Sequence, residues 1–303
     1  MTKQRIAIIG GGLMGHGIAQ AFAAAGHQVA IQEPDAERRA AILGHIRRNL
    51  QILGEDSAVA DLIHPQEMLA DAVAGADIVI EAVPEDLALK QRVLAAVEAA
   101  APPHALLASN TSVIPITRIM EPLGDKTRAM GTHWWNPPHL IPLVEVVQTP
   151  DTGDAAVAAM IGLLASIGKT PVHVRKDVPG FIGNRLQHAM WREAIALVQN
   201  GVCDAETVDT VVKTSFGRRL AVLGPLENAD LVGTDLTLAV HEHVLADLDR
   251  SAGPQQLLRD LVASGRLGMK AGAGFRTWTE AQRQEVADGL ADHLRRLDGI
   301  DHG

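Results

Sequence analysis

Short apolar runs alternate with longer amphipathic stretches through roughly the first 176 residues. The runs are RIAIIG at 5–10, QVAIQE at 28–33, ADIVIEAV at 76–83, ALLAS at 105–109, TRAMGTHW at 127–134, LVEVVQ at 143–148 and TPVHVR at 170–175. Continuous apolar strands separated by helices predict a mainly parallel sheet covered on both faces, a doubly wound α/β domain. After KDVPG at 176–180 the strands stop and helical periodicity takes over, first from Phe181 to about Asn200, with Pro179 near the start and Gly201 just past the end. Further helices are predicted over 204–214, 234–248 and 254–264. The expected domains are therefore 1–177 and an all-helical 178–303, with no internal repeat.

The first apolar run meets GGGLMG, so Gly10, Gly12 and Gly15 satisfy G-x-G-x-x-G between a strand and an apolar helix. Such a turn lets backbone approach a pyrophosphate, which the helix N-terminus then attracts. Leu13 and Met14 lie between these glycines and share the expected cofactor contact. The motif alone is weak; Glu33, at the end of the second run, adds an acid placed to bind the adenosine ribose hydroxyls. That makes the fold Rossmann-type and the cofactor NAD, because a carboxylate repels the 2′-phosphate of NADP. Arg38 and Arg39 are expected on the solvated face of the following helix.

Composition narrows the rest. The net charge of −9, with no basic run, excludes the electrostatic footprint of a nucleic-acid binder. A single cysteine, Cys203, excludes an internal disulfide or a cysteine metal cluster, and no metal site is expected. No stretch reaches the roughly 18 apolar residues of a membrane span, and the short N-terminal run does not read as a signal peptide. A cytoplasmic location is the expectation.

Three later segments look unlike scaffold: SNTS at 109–112, HWWNPPHLIPLVEVV at 133–147 and KDVPGFIGNR at 176–185. His133 ends one strand, and Glu145 lies in the next after a proline-rich turn, a course that can bring carboxylate to imidazole. A neutral imidazole can take a hydroxyl proton as hydride leaves, with the carboxylate fixing its tautomer. Together with GGGLMGHGIAQ, these motifs resemble, in order and over nearly the whole chain, the L-3-hydroxyacyl-CoA dehydrogenase family. The resemblance implies that His133 and Glu145 are the catalytic pair and that Ser112 and Asn184 hold the reacting oxygen as neutral donors. It places Glu85, Lys90 and Asn110 near the nicotinamide ribose, and Asn136 at the substrate or nicotinamide. Plainer readings stand beside these: Ser112 as a helix cap, Asn184 as a bond to backbone between domains, and Lys90 paired with Asp86 on a helix surface.

Two features depart from the acyl-CoA members. Trp134 and Trp135 follow His133 where those members usually carry two phenylalanines, and the stretch 36–75, where they have a lysine-rich arm, contains no lysine; Arg47 and Arg48 are the residues left to meet a CoA phosphate. The segment FGRRLAVLGPLENADLVG at 216–233 resembles relatives acting on free hydroxy acids, such as L-gulonate 3-dehydrogenase. There Arg218 or Arg219 can pair with a substrate carboxylate, unless both are surface residues. The resemblance thus implies hydride transfer between NAD and a 3-hydroxy acid, a free carboxylate favoured over a short 3-hydroxyacyl-CoA, with the substrate between the domains. It also implies a homodimer through the helical domain. A non-catalytic, crystallin-like NAD-binding role is the remote alternative.

Overall fold

The computed structural model describes residues 3–297; residues 1–2 and 298–303, the outer ends of the two expected domains, lie outside it. The chain divides into one unit running to Arg185, joined by the residues from Asp292, and a second unit, Leu186–Ala291.

The first unit runs β1 (Arg5–Ile9), α1 (Leu13–Ala24), β2 (Gln28–Gln32), α2 (Ala36–Leu53), β3 (Ile63–Gln66), α3 (Leu69–Val73), β4 (Ile78–Glu81), α4 (Leu87–Ala100) and β5 (Leu106–Ser109). It continues with α5 (Ile116–Ile119), β6 (Ala129–Trp134), β7 (Leu143–Val147), α6 (Asp154–Ser166) and β8 (Thr170–Val174). The strands form one eight-stranded sheet in the order β3-β2-β1-β4-β5-β6-β7-β8. All neighbours are parallel except β6 and β7.

Strand alternation divides the core into two layers. Ile6, Ile8, Ile78 and Ile80 pack on one face with Ile18 and Phe22 of α1, Ile46 of α2 and Leu164 of α6. Ala7, Ile9 and Val79 pack on the other with Val73 of α3, Leu94 and Val97 of α4, and Ile116 of α5. The mainly parallel, doubly wound expectation holds, and the order reverses between β1 and β4. In such sheets ligands bind outside the carboxyl ends of the strands at that reversal.

One strand, β3, escaped the periodicity. Its sequence, IHPQ, buries only Ile63 because it is a sheet edge. Prolines sit on both edge strands, Pro65 in β3 and Pro171 in β8, where a missing N–H interrupts no ladder.

In the second unit the helices are α7 (Gly183–Gln199, which begins in the first unit), α8 (Ala205–Thr214), α9 (Pro225–Val232), α10 (Thr234–Val244), α11 (Gln256–Ala263) and α12 (Glu280–Leu297). Gly201 follows α7 with φ +70°, the conformation expected of a helix-stopping glycine. The helices α9 and α12 were not among those expected from the pattern. Segment 178–185, expected to open the helical domain, belongs with the first unit: Phe181 is buried in its core and the next two amides bond to Glu145 of β7.

Candidate active site

Each glycine of the first turn has its own physical reason. Gly10 has φ +107°, and a Cβ there would stand 2.8 Å from the Ala82 carbonyl oxygen. At Gly15 a Cβ would come within 1.8 Å of the Gly10 carbonyl oxygen, so α1 can cross β1 only without a side chain. Gly12 is different: a Cβ would meet nothing within 4 Å. It is the N-cap of α1, with no side chain capping the helix, so free N–H groups and a positive dipole end face open space. A pyrophosphate fits that cradle. Leu13 is exposed and Met14 partly buried at the same helix start.

Glu33, just after β2, is buried with its carboxylate already oriented, Oε2 accepting from the Gly11 amide at 3.1 Å and Oε1 from the Asp35 amide at 3.2 Å. Arg39 donates to the Glu33 and Pro34 carbonyls and pairs with Glu67 at 2.9 Å, which commits its guanidinium away from any 2′-phosphate. Arg47 pairs with Asp61 at 3.5 Å, and Arg48 is exposed.

The carboxyl ends of β4 and β5 carry an ionic platform. Lys90 of α4 is fully buried, donating to Glu81 Oε1 at 2.8 Å and to the Val83 carbonyl at 3.1 Å, with Glu85 Oε2 at 3.4 Å. Ser109 donates to the other Glu81 oxygen at 2.5 Å. Lys90 therefore has no exposed atom for a ribose, and it acts on this region through Glu85. The alternative partner, Asp86, instead caps α4 by accepting from the Leu89 amide.

Glu85 in turn accepts from the Thr111 hydroxyl at 2.5 Å and from the Ser112 and Val113 amides. Burial pushes its pKa up, but the Thr111 hydroxyl, the Lys90 ammonium and the two amides together hold it below the usual carboxylate value. Asn110 accepts from the Trp134 amide at 2.9 Å, tying β5 to β6. Glu81, Ser109 and Thr111 were not anticipated; an acid closing the apolar run IVIE was the available signal.

His133 and Glu145 are register partners across the antiparallel pair β6 and β7, with His133 Nδ1 2.7 Å from Glu145 Oε2. Both are buried. The other carboxylate oxygen accepts from the Ile182 and Gly183 amides at 2.9 and 3.0 Å. Phe181, at φ +52° after Gly180 at φ +76°, turns the backbone so that these amides face inward. A left-handed phenylalanine is uncommon and strained. Desolvation raises the Glu145 pKa, yet the His133 imidazole and the two amides lower it further, leaving it net depressed and ionised. With Nδ1 committed to the carboxylate, Nε2 is the imidazole nitrogen open to a substrate proton.

Ser112 is exposed, and its carbonyl accepts from Asn184 Nδ2 at 2.8 Å, so these two expected substrate residues are neighbours. Ser112 caps no helix: α5 starts at Ile116 with Pro115 as its N-cap, and in the bend before it the Thr111 hydroxyl accepts from the Ile114 amide. Asn136 is exposed on the turn between β6 and β7. Trp134 is core, 5.7 Å from Phe22 ring to ring, whereas Trp135 lies 5.2 Å from the His133 ring. Arg218 and Arg219 are exposed in the second unit, and among the described residues neither has an ion-pair partner. No group of described residues is arranged to hold a metal ion, and no described helix is long and apolar enough to cross a membrane.

A dinucleotide cradle beside a carboxylate-oriented histidine defines an NAD-dependent dehydrogenase. Family models agree: "3-hydroxyacyl-CoA dehydrogenase, NAD binding domain" matches residues 5–178 and the corresponding "C-terminal domain" matches 180–278. The chain belongs to the 3-hydroxyacyl-CoA dehydrogenase family.

Among its relatives, 5-formyl-3-hydroxy-2-methylpyridine 4-carboxylate 5-dehydrogenase of Mesorhizobium japonicum is 37% identical over 97% of this chain and 96% of its own length. A probable 3-hydroxybutyryl-CoA dehydrogenase of Bacillus subtilis is 36% identical over 92% of this chain and 99% of its own. A crystal structure of the former activity, described as an NAD+-dependent dismutase, superposes with TM-score 0.90 at 34% identity, covering 99% of this chain and all of that one. The (S)-3-hydroxybutyryl-CoA dehydrogenase of Ralstonia eutropha gives 0.77 at 32% identity, covering 92% and 100%.

The glycines make opposite predictions. Gly15→Ala is expected to cost about 1–3 kcal/mol by overpacking, read by thermal unfolding. Gly12→Ala is expected to leave the melting temperature unchanged while weakening NAD binding in titration calorimetry. Equal melting temperatures for the two variants would contradict the packing argument.

A pH prediction follows from His139, whose ring lies against α1 at Gly17. Burial, helped by His16 and Lys169, lowers its pKa to about 4. Between the ordinary imidazole value of about 6.5 and that depressed value, the unfolded chain binds a proton that the folded chain refuses. Stability is therefore complete above the upper value and is lost as pH falls through this window. His139→Asn is expected to lose less melting temperature than the parent between pH 7 and pH 5; parallel curves would exclude the assignment.

Proposed function

We propose that the enzyme oxidises a 3-hydroxy carboxylate, free rather than CoA-linked, to its oxo form and runs the reverse reduction. The observation carrying this reading is the buried His133–Glu145 pair with Nδ1 occupied and Nε2 available. Gly10, Gly12, Leu13, Met14, Gly15 and Glu33 hold the dinucleotide; Glu85, Asn110 and Asn136 border its nicotinamide end. Bound NAD supplies the hydride acceptor. His133 Nε2 takes the hydroxyl proton as the carbon–oxygen double bond forms, and Glu145 stabilises the imidazolium. Ser112 and Asn184 hold the reacting oxygen, and Arg218 and Arg219 are the cations proposed for the carboxylate.

Preference for a free acid is supported by the lysine-free stretch 36–75 and by the relative named for a free pyridine carboxylate. A short 3-hydroxyacyl-CoA is the second reading, favoured by the relatives named for 3-hydroxybutyryl-CoA; it would put the enzyme in fatty-acid metabolism. The lone, unpaired Cys203 supports a reducing, cytoplasmic setting. His133→Gln is expected to lower kcat by about 10²–10⁴-fold, and Arg218→Ala with Arg219→Ala to raise KM for free acids alone. Assays following NADH with 3-hydroxybutyrate, aromatic formyl acids and 3-hydroxybutyryl-CoA test both; turnover confined to the thioester would reject the free-acid reading.

The helical unit supports a homodimer as its working form. Among the described residues of 186–291, Ala196 is the sole buried apolar side chain, while Leu186, Trp191, Val222, Leu226 and Leu231 are exposed. Apolar surface on that scale needs a cover, and a second copy offers a self-complementary one. Leu226→Glu with Val222→Asp is expected to shift the sedimentation mass from dimer to monomer; an unchanged mass would exclude this face.

A further inference from the structure

Of the two tryptophans after His133, only one can serve the site. Alternation along β6 sends Trp134 to the core opposite His133, while Trp135, just past the strand's end, lies against the His133 ring. The Trp135 indole lies 5.2 Å from the imidazole centroid and the Phe181 ring 5.5 Å, each tilted by 51°. Trp135 also remains partly exposed, whereas Trp134 is 2% exposed, so only the former can meet a ligand.

What leaves room for the indole there is Gly183. A Cβ at 183 would stand 2.4 Å from Trp135 Cζ2, 3.2 Å from Cη2 and 3.3 Å from Cε2. Gly183 is not among the glycines at positive φ, so its backbone would accept another residue; the indole is what excludes one. Gly183 is also one of the two amides on Glu145. Trp135 is thus wedged between the proton acceptor and the residue that holds that acceptor's carboxylate. A substrate oxygen must come to Nε2, because Nδ1 is taken, and it arrives beside a fixed aromatic wall. Such a wall gains offset stacking with a flat ring and gains little from a flexible saturated chain.

We propose that Trp135 is a specificity-determining residue that selects a planar aromatic carboxylate bearing the reacting hydroxymethyl or formyl group. This rests on the free-carboxylate part of the reading given above, and sets the reacting carbon one bond further from the carboxylate than in a 3-hydroxy acid. In the oxidative direction the hydroxymethyl carbon gives a hydride to NAD+ and the hydroxyl gives its proton to His133 Nε2, leaving the formyl product, NADH and a protonated imidazole.

The test is calorimetric titration of the full-length, NAD-loaded protein with two unreactive dianions, phthalate and cis-cyclohexane-1,2-dicarboxylate, which share charge and carboxylate spacing and differ in the aromatic ring. The parent is expected to bind phthalate about three- to tenfold more tightly, the value of one stacking contact. Trp135→Leu is expected to abolish that preference, and Gly183→Ala to do the same by displacing the indole, so one variant suffices if the other fails to fold. Equal affinities in the parent, or a preference that survives both substitutions, would overturn the inference alone. Binding of neither dianion would overturn it together with the free-carboxylate reading beneath it.

Discussion

The site depends on a carboxylate buried and kept charged. An ion taken out of water costs several kcal/mol unless partners replace the lost hydration. Glu145 has three: the imidazole opposite it and two amides from the chain beyond β8. The first comes from register, since His133 and Glu145 face each other across the single antiparallel step in the sheet. Without that reversal the two residues would belong to strands joined by a long crossover, and a proline-rich turn could not have set them opposite one another. The remaining two come from a strained stretch, where Gly180 and Phe181 both take positive φ.

A second buried charge organises the neighbouring strand ends. Lys90 neutralises Glu81 within the sheet's carboxyl edge and steadies Glu85, which gathers the loop 111–113 by one hydroxyl and two amides. The loop presenting Ser112 is thereby fixed from beneath. Removing one partner of such a pair leaves an uncompensated charge, typically more damaging than replacing both. The His133–Glu145 pair and the loop presenting Ser112 thus stand on separate ionic foundations within one sheet.

The sheet was legible wherever burial on both faces made a strand continuously apolar, and illegible at β3, whose edge position relieves it of that demand. Glycine spacing located the cradle, yet the sequence could not say which glycine was needed for its φ, which for packing and which for open space. His133 and Glu145 could be paired because one turn separates their strands. Lys90 read as a ribose contact or a surface charge because nothing in VPEDLALK reveals which way α4 rolls; only the packed structure turns it inward. Phe181 looked like the start of a helix, since periodicity does not register a single left-handed residue. The two tryptophans read alike as wall or core, although neighbours at a strand's end face opposite ways.

Surface connections between domains ordinarily tolerate added or lost residues at small cost. The segment after β8 is an exception, because two of its amides help hold down the proton affinity of a carboxylate 37 and 38 positions earlier. One residue inserted before Ile182 would move both amides off Glu145 and raise the carboxylate's affinity for protons. Chain length there is an electrostatic parameter, so a stretch that reads as a linker carries a constraint ordinarily confined to the site itself.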